Sequence, residues 1–541
     1  MKGRFRINGS AAAWIALALL VVPMFGSYFF DDMFSTVSNI FNDPSSLHLG
    51  WGQDEYGKYT SGYSILCIFG GLVLCGMLLD RWGVRVTGSI FVGLMIAGAA
   101  AVAWAITSGL PAAQSLNIAW AGCMVFGLGS EIAGVAVTRS IAKWFKGRNM
   151  AFAMGLQLAI ARLGTATAFL LSPVLIRQKV AAATGALSAG TTAAGIDPAA
   201  SSPIIYTLSE TARPAFFGLA LLLVGGIFWA IFVAMDARYD RSRSAGGEGA
   251  ASERRDGGKA PASDPVRGSV AHPSQAGAWA PPSDDAEGGT PLVCSALPDE
   301  DSSSDEKFRF ADALKVLGNR DWWLLALLCV FFYSSIVAFK KFTGAILVPR
   351  FGVSPGIAGF MATILPFSTV VFAPLFGLMV DRRGHGTRWM IVGAVLALAA
   401  HLVLAFAPGG NAFWGYAAMV LLGFSYSLVP AALWPSVPKV IPEKMLGTAF
   451  ALIYWVQNLG LWGFKRFAGK ILEAPAALGR TAGTPAADSA PTLADSISAI
   501  FNVELMFLAV CVAALVLAGL FAASSRRHPE LALDSPNKPA R

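Results

Sequence analysis

Charge is scarce in this chain: Asp, Glu, Lys and Arg make up 14% of its 541 residues, against 55% hydrophobic residues. A soluble domain carries roughly a quarter of its residues charged, so composition alone excludes an ordinary water-soluble enzyme. Histidine is scarcer still. His48, His272, His385, His401 and His528 stand far apart, without the close spacing of metal ligands. No metal and no cofactor are expected, and no nucleophile-base constellation suggests an enzyme. Of the six cysteines, Cys67, Cys75, Cys123, Cys329 and Cys511 lie inside apolar runs. An unpaired Cys there behaves as a small hydrophobe, and no disulfide framework is implied. The net charge of +8 forms no continuous basic face, which argues against nucleic acid as a partner.

What the chain has instead is long apolar runs, among them Ala11 to Phe30, Gly62 to Leu79, Pro214 to Met235 and Asp321 to Val337. Each approaches the ~20 residues that cross ~30 Å of hydrocarbon. The runs and the polar segments between them predict twelve spans, near 11–40, 56–79, 86–108, 117–140, 149–175, 213–236, 321–347, 356–379, 387–407, 412–436, 446–473 and 502–523. The first begins after a basic stretch like a signal peptide, yet its apolar run continues without a small-residue cleavage site, and it reads as a retained helix.

Basic residues fall in alternate loops: Lys2, Arg4 and Arg6 before the first span, Arg81 and Arg85 after the second, Lys143, Lys146 and Arg148 after the fourth, and Arg382, Arg383 and Arg388 after the eighth. The intervening loops 42–55, 107–117 and 407–412 have none, which puts both termini in the cytoplasm. Asn8-Gly-Ser10, an Asn-x-Ser site, falls on that side too and carries no glycosylation signal. A stretch dense in Ser, Gly, Pro, Asp, Glu and Arg divides the spans six and six. It reads as a disordered linker over 237–310, between an amino-terminal bundle at 1–236 and a carboxyl-terminal bundle at 311–523, with a tail at 524–541.

The halves echo each other. Gly76-Met-Leu-Leu-Asp80-Arg81-Trp-Gly83 recurs as Gly377-Leu-Met-Val-Asp381-Arg382-Arg-Gly384, an offset of 377 minus 76, or 301. Ala151-Phe152-Ala153 recurs as Ala449-Phe450-Ala451, at 449 minus 151, or 298. Parallel repeats of six helices follow, making an all-α membrane protein of two six-helix bundles with the solute path between them.

Within the spans, ionisable residues mark candidate sites, because a charge at mid-membrane costs ~2.5–3.5 kcal/mol on insertion scales. Glu131 and Arg162 sit about 15 positions either side of the turn between spans four and five, hence at one depth. They suit a zwitterion, Glu131 taking an ammonium and Arg162 a carboxylate in its planar fork; a permanent salt bridge between them is the alternative. Asp31 and Asp32 in span one are candidates for a cavity acid, Asp31 alternatively solvated at the rim. Lys341 in span seven is a candidate from the second half, whereas Lys340 reads as snorkelling towards a helix end. Trp434, Gln457 and Asn458 lie in spans ten and eleven; Asn458 follows Arg162 by 458 minus 162, or 296, as its approximate repeat counterpart.

The Gly-x-x-x-Asp-Arg-x-Gly loops resemble the signature of the major facilitator superfamily. The resemblance implies the major facilitator fold and a gating role for Gly76, Asp80, Arg81, Gly83 and Arg85, and for Gly377, Asp381, Arg382 and Gly384, as latches at helix ends. More narrowly, Ser27-Tyr-Phe-Phe-Asp-Asp32, Gly127-Leu-Gly-Ser-Glu131, Trp144-Phe-Lys-Gly-Arg148, Gly155-Leu-Gln-Leu-Ala-Ile-Ala-Arg162, Gly423-Phe-Ser-Tyr-Ser-Leu428, Ala432-Leu-Trp-Pro435 and Gln457-Asn-Leu-Gly-Leu461 look like strings of the lysosomal dipeptide transporters and their bacterial relatives. That resemblance implies alternating-access transport of dipeptides with Glu131 and Arg162 as the binding pair.

Two other functions fit the residues. One is an organic-anion carrier for mono- or dicarboxylates, an antiporter or proton symporter, with the solute on Arg162 and Lys341. The other is a non-transporting membrane receptor or scaffold. The partners expected are a small solute and the lipid bilayer, with an accessory membrane protein as a further option; the expected state is a monomer. The expected address is a plasma or bacterial inner membrane, with a lysosomal membrane as the alternative.

Overall fold

A computed structural model describes residues 9–42, 49–145, 150–177, 208–256, 310–442, 445–481 and 493–535. Helices occupy all twelve expected positions, and no strand occurs among the described residues. Among the described residues, ten helices are long and apolar enough to cross a bilayer by length and composition. Span eleven, Leu446–Thr481, is more polar, carrying Gln457, Asn458, Lys465, Arg466 and Lys470. It packs against Gln53–Leu66, the polar start of span two, across the boundary between the halves, where less of its surface meets lipid.

Helix breaks fall where the chain must turn or approach a site. Spans two and three run as one helical stretch, Leu72–Thr107, broken at Gly83 with φ 74° and ψ 169°. Span eight, Pro355–Arg383, ends on Gly384 with φ 66° and ψ −138°. These glycines are 384 minus 83, or 301, residues apart. The final Gly of each signature loop therefore supplies a positive-φ corner that a residue with a Cβ resists. Span seven is Arg320–Tyr333 followed by a widened turn, Ser334–Ala338; it breaks again at Phe342, next to Lys340 and Lys341. Widened turns of this kind re-aim side chains and recur at functional sites.

Span six, Arg213–Asp256, continues as helix into the first part of the segment expected as linker. Residues 257–309, the rest of that segment, lie outside those described, as do Asn8, His48, Lys146, Arg148 and His272. At the other end of the second half, the last span runs Leu493–Arg527, and the tail folds back on the bundle. Asp534 accepts hydrogen bonds from the Thr387 backbone N–H at 3.0 Å and hydroxyl at 2.9 Å, capping the start of span nine, Gly386–Phe406. Lys439 Nζ donates to the carbonyls of Ala532 and Ser535, and Leu533 is buried.

The halves meet most closely on the face opposite the termini. A Cβ on Gly57 of span two would lie 2.9 Å from the Lys465 carbonyl and 3.1 Å from Gly469 Cα of span eleven; one on Gly469 would lie 2.4 Å from the Gln53 carbonyl. A Cβ on Gly359 of span eight would lie 2.3 Å from the Phe169 carbonyl of span five, Met150–Arg177. Gly57 and Gly359 are 359 minus 57, or 302, residues apart, so each repeat supplies one backbone-to-backbone crossing through the same glycine. Between them, Gly344 N–H and Thr343 Oγ1 donate to the Ser35 carbonyl, at 2.9 and 3.1 Å, tying span seven to the end of span one.

Candidate functional site

Span one, Gly9–Asp32, ends on the two carboxylates of the boundary. Asp32 has no exposed surface, and both lysines of span seven reach it: Lys340 Nζ lies 2.7 Å from Oδ2 and Lys341 Nζ 2.8 Å from Oδ1. Thr165 Oγ1 of span five donates to the same carboxylate at 2.8 Å, and Lys341 also pairs with Asp31 at 2.7 Å. The expectation that Lys340 snorkels is therefore corrected. It is 6% exposed and points inward, because a carboxylate of the other half gives its ammonium a partner that water or headgroups would otherwise supply. Asp31 is half-buried and ion-paired, not simply solvated at the rim.

Glu131, on span four, Ala112–Trp144, accepts a hydrogen bond from Tyr63 OH of span two at 3.0 Å. Tyr63 OH also lies 3.2 Å from Ser130 Oγ, which is 2.5 Å from Ser27 Oγ of span one. A chain of hydroxyls from spans one, four and two thus leads to the Glu131 carboxylate. Arg162 stands with its guanidinium carbon 5.6 Å from the Tyr28 ring centroid and 5.2 Å from that of Tyr426, one ring from each half. Both side chains are half-buried, and no ion pair within 4.0 Å joins them. The permanent salt bridge is not formed. Each charge is held by neutral groups, which leaves its ionic capacity for a third party.

In the second half, the polar candidates are engaged within their own bundle. Trp434 Nε1 donates to Tyr333 OH at 3.0 Å, and its indole stacks on Tyr454 with centroids 5.2 Å apart. Gln457 accepts from Cys329 Sγ, and Asn458 donates to the Tyr454 carbonyl one turn back in its own helix.

Sequence reasoning passed over several groups at this boundary. Lys465 is 2% exposed; its Nζ donates to the Thr60 carbonyl of span two at 3.3 Å and lies 5.6 Å from the Tyr63 ring centroid. Its place in an apolar span was the available signal. Tyr28 and Tyr426 lie inside strings already singled out, without having been singled out themselves. The buried pair His401 Nδ1 and Glu504 Oε2, 2.7 Å apart within the second half, was signalled only by its two ionisable residues.

At the face carrying the termini, Arg85 and Lys143 both pair with Asp236 and Asp240 of span six, and Trp144 Nε1 donates to Asp236 at 2.9 Å. This cluster joins spans three, four and six of one half at their ends. Arg81, Gly83 and Arg382 are exposed, Asp381 is half-buried, and Gly377 and Gly384 are buried. The surroundings of Gly76 and the side chain of Asp80 lie outside what is described. Among the described residues no group of three His, Cys, Asp or Glu is placed to hold a metal.

A twelve-helix bundle of two repeats, closed over fixed charges at the boundary between them, has the architecture of a solute carrier. The family model of the Major Facilitator Superfamily matches residues 24–462, and the chain belongs to that superfamily. Among curated proteins it is similar to the lysosomal dipeptide transporter MFSD1 of Danio rerio, 28% identical over 461 residues that cover 83% of this chain and 78% of the relative. The MFSD1 protein of Bos taurus is 26% identical over 476 residues, covering 85% and 79%. Among solved structures, that of the nucleoside transporter NupG superposes with a TM-score of 0.57 at 13% identity, covering 96% of this chain and 99% of the other. The likeness to NupG is one of fold. The protein is thus an integral, multi-pass transporter of small solutes.

Proposed function

We propose that the protein moves dipeptides or similar zwitterions by alternating access, Glu131 gripping the ammonium end and Arg162 the carboxylate. The observation that carries this reading is that two opposite charges at the boundary are both held by neutral partners and not by each other. A zwitterion supplies the missing counter-charge to both at once, whereas a mono- or dicarboxylate would bring an anion towards Glu131. Similarity to two dipeptide transporters over most of the chain supports the same substrate class.

The packed glycine crossings and the Asp32 ion pairs close one face, so alternating access requires the opposite face, the one carrying the termini, to open. We place that face in the cytoplasm, from the distribution of basic loops. Asp32, Lys340 and Lys341 then act as the bond between halves on the far side, and the signature loops, with the Arg85 cluster, as the mechanical elements at the near side.

Uptake of a labelled dipeptide into proteoliposomes tests the reading. Saturable uptake is expected, with Glu131→Gln and Arg162→Lys each lowering uptake efficiency by about ten- to a hundredfold, the scale of a charge-assisted contact. Uptake unchanged in both variants would remove the assignment.

A further inference from the structure

Lys465 is the group whose partners do not account for its charge. Its ammonium is buried, yet no carboxylate oxygen lies within 4.0 Å among the described residues; it holds one backbone carbonyl at 3.3 Å and faces one aromatic ring. A buried ammonium needs an anion more than a neutral carbonyl to offset its lost hydration. The remaining charges at the boundary do not supply one. Asp31 and Asp32 are matched by Lys340 and Lys341, two against two. Towards the far face Asp54 is paired with Arg466 at 2.9 Å, and Glu473, about two turns of helix beyond Lys465, is engaged by the Gln53 N–H at 2.7 Å. What is left around Tyr63 is Glu131 against Arg162 and Lys465, a local excess of one positive charge.

The position of Lys465 ties this excess to the substrate. Tyr63 is common to both groups: its hydroxyl binds Glu131, and its ring faces the Lys465 ammonium. The carbonyl that Lys465 holds belongs to Thr60 on the opposite half, beside the Gly57 and Gly469 crossing. When the halves part at that crossing, Lys465 loses its acceptor while it becomes reachable from the far face. An incoming anion can then replace Thr60.

Resting on the dipeptide reading, we infer that Lys465 is a specificity-determining residue that makes this carrier favour short peptides bearing an acidic side chain. Such a peptide has three charged groups, for Glu131, Arg162 and Lys465, and a net charge of minus one that cancels the excess. A neutral dipeptide leaves Lys465 unmatched, and a basic one adds a second positive charge beside it.

The test is competition by Ala-Glu, Ala-Ala and Ala-Lys against a labelled dipeptide in proteoliposomes, paired with thermal stabilisation of the purified full-length carrier by the same three peptides. Ala-Glu is expected to compete at least about tenfold better than Ala-Ala, with Ala-Lys weakest. The ratio of Ala-Glu to Ala-Ala should collapse towards one in Lys465→Met and be kept in Lys465→Arg. Equal potency of the three peptides in the unaltered protein overturns the inference even if the methionine variant fails to fold, and so does a ratio that survives Lys465→Met. If none of the three peptides binds or moves, the dipeptide reading itself has failed, and this inference falls with it.

Discussion

The two halves share a fold but divide the charges between them. At the centre of the boundary the carboxylates Asp31, Asp32 and Glu131 come from the first half and the lysines 340, 341 and 465 from the second. Towards the far face Asp54 of the first half pairs with Arg466 of the second at 2.9 Å, while Glu473 of the second half accepts from the Gln53 N–H of the first at 2.7 Å. Glu473 and Arg162 break the pattern, and Arg162 lies over Tyr426 of the second half. At Asn458, its repeat counterpart, the second half carries a neutral amide turned onto its own helix. Duplication thus supplied a symmetric frame, and divergence made the first half mainly acidic and the second mainly basic where they touch. Such a boundary attracts itself when closed, and its ion pairs must be exchanged for solute or water each time it opens.

Removing the strongest of these contacts is the most direct way to break the contrast. Asp32→Asn leaves the buried Lys340 without its carboxylate and Lys341 with Asp31 alone, and should cost about 3–5 kcal/mol of native stability, read as a large fall in melting temperature together with loss of uptake. Wild-type melting and uptake in that variant would show that the charge division is incidental. Next in size is the crossing that lets the halves close. Gly469→Val places side-chain atoms where the Gln53 carbonyl now lies, so the packed far face should be penalised by about 1–3 kcal/mol. Labelling of a cysteine placed on that face by a membrane-impermeant reagent should rise, and uptake should fall; unchanged labelling would mean that the crossing opens little.

Alanine at Gly83 and at Gly384 sharpens the symmetric side of the comparison. Both have positive φ, so each substitution should destabilise by about 1–2 kcal/mol, and by similar amounts if the two corners are equivalent. A large cost at only one would locate the mechanical burden in one repeat. The smallest effect is expected from Asp534→Ala, which removes a cap found in the second half. About 1 kcal/mol should be lost in thermal unfolding, with near-normal uptake. Equal melting curves would show that the tail bears no weight.

Much of the frame was legible because spans and repeats are written locally, as apolar runs and recurring loops. The glycine of each signature loop was visible as a letter, and its left-handed corner supplies the reason for it. The boundary was harder to read. Lys340 looked like a snorkelling residue because its partner, Asp32, is 308 positions away in the chain. Lys465 lies inside the expected span 446–473, but its acceptor, the Thr60 carbonyl, is 405 positions away in the chain. Glu131 and Arg162 were found from depth along two adjacent helices, which periodicity can give; the rings of Tyr28, Tyr63 and Tyr426 that hold or face them were not, because which face of one helix meets which face of another is decided by packing over long range.

The glycine crossings and the Asp32 ion pairs have a bearing on what holds the carrier together. They bind the two bundles through residues hundreds of positions apart, none of which belongs to the segment joining the sixth span to the seventh. Cutting the backbone between 257 and 309 would therefore leave those contacts intact. Chain continuity and closure of the far face are separable in this molecule: a cut chain keeps the contacts that hold the two bundles together in this state.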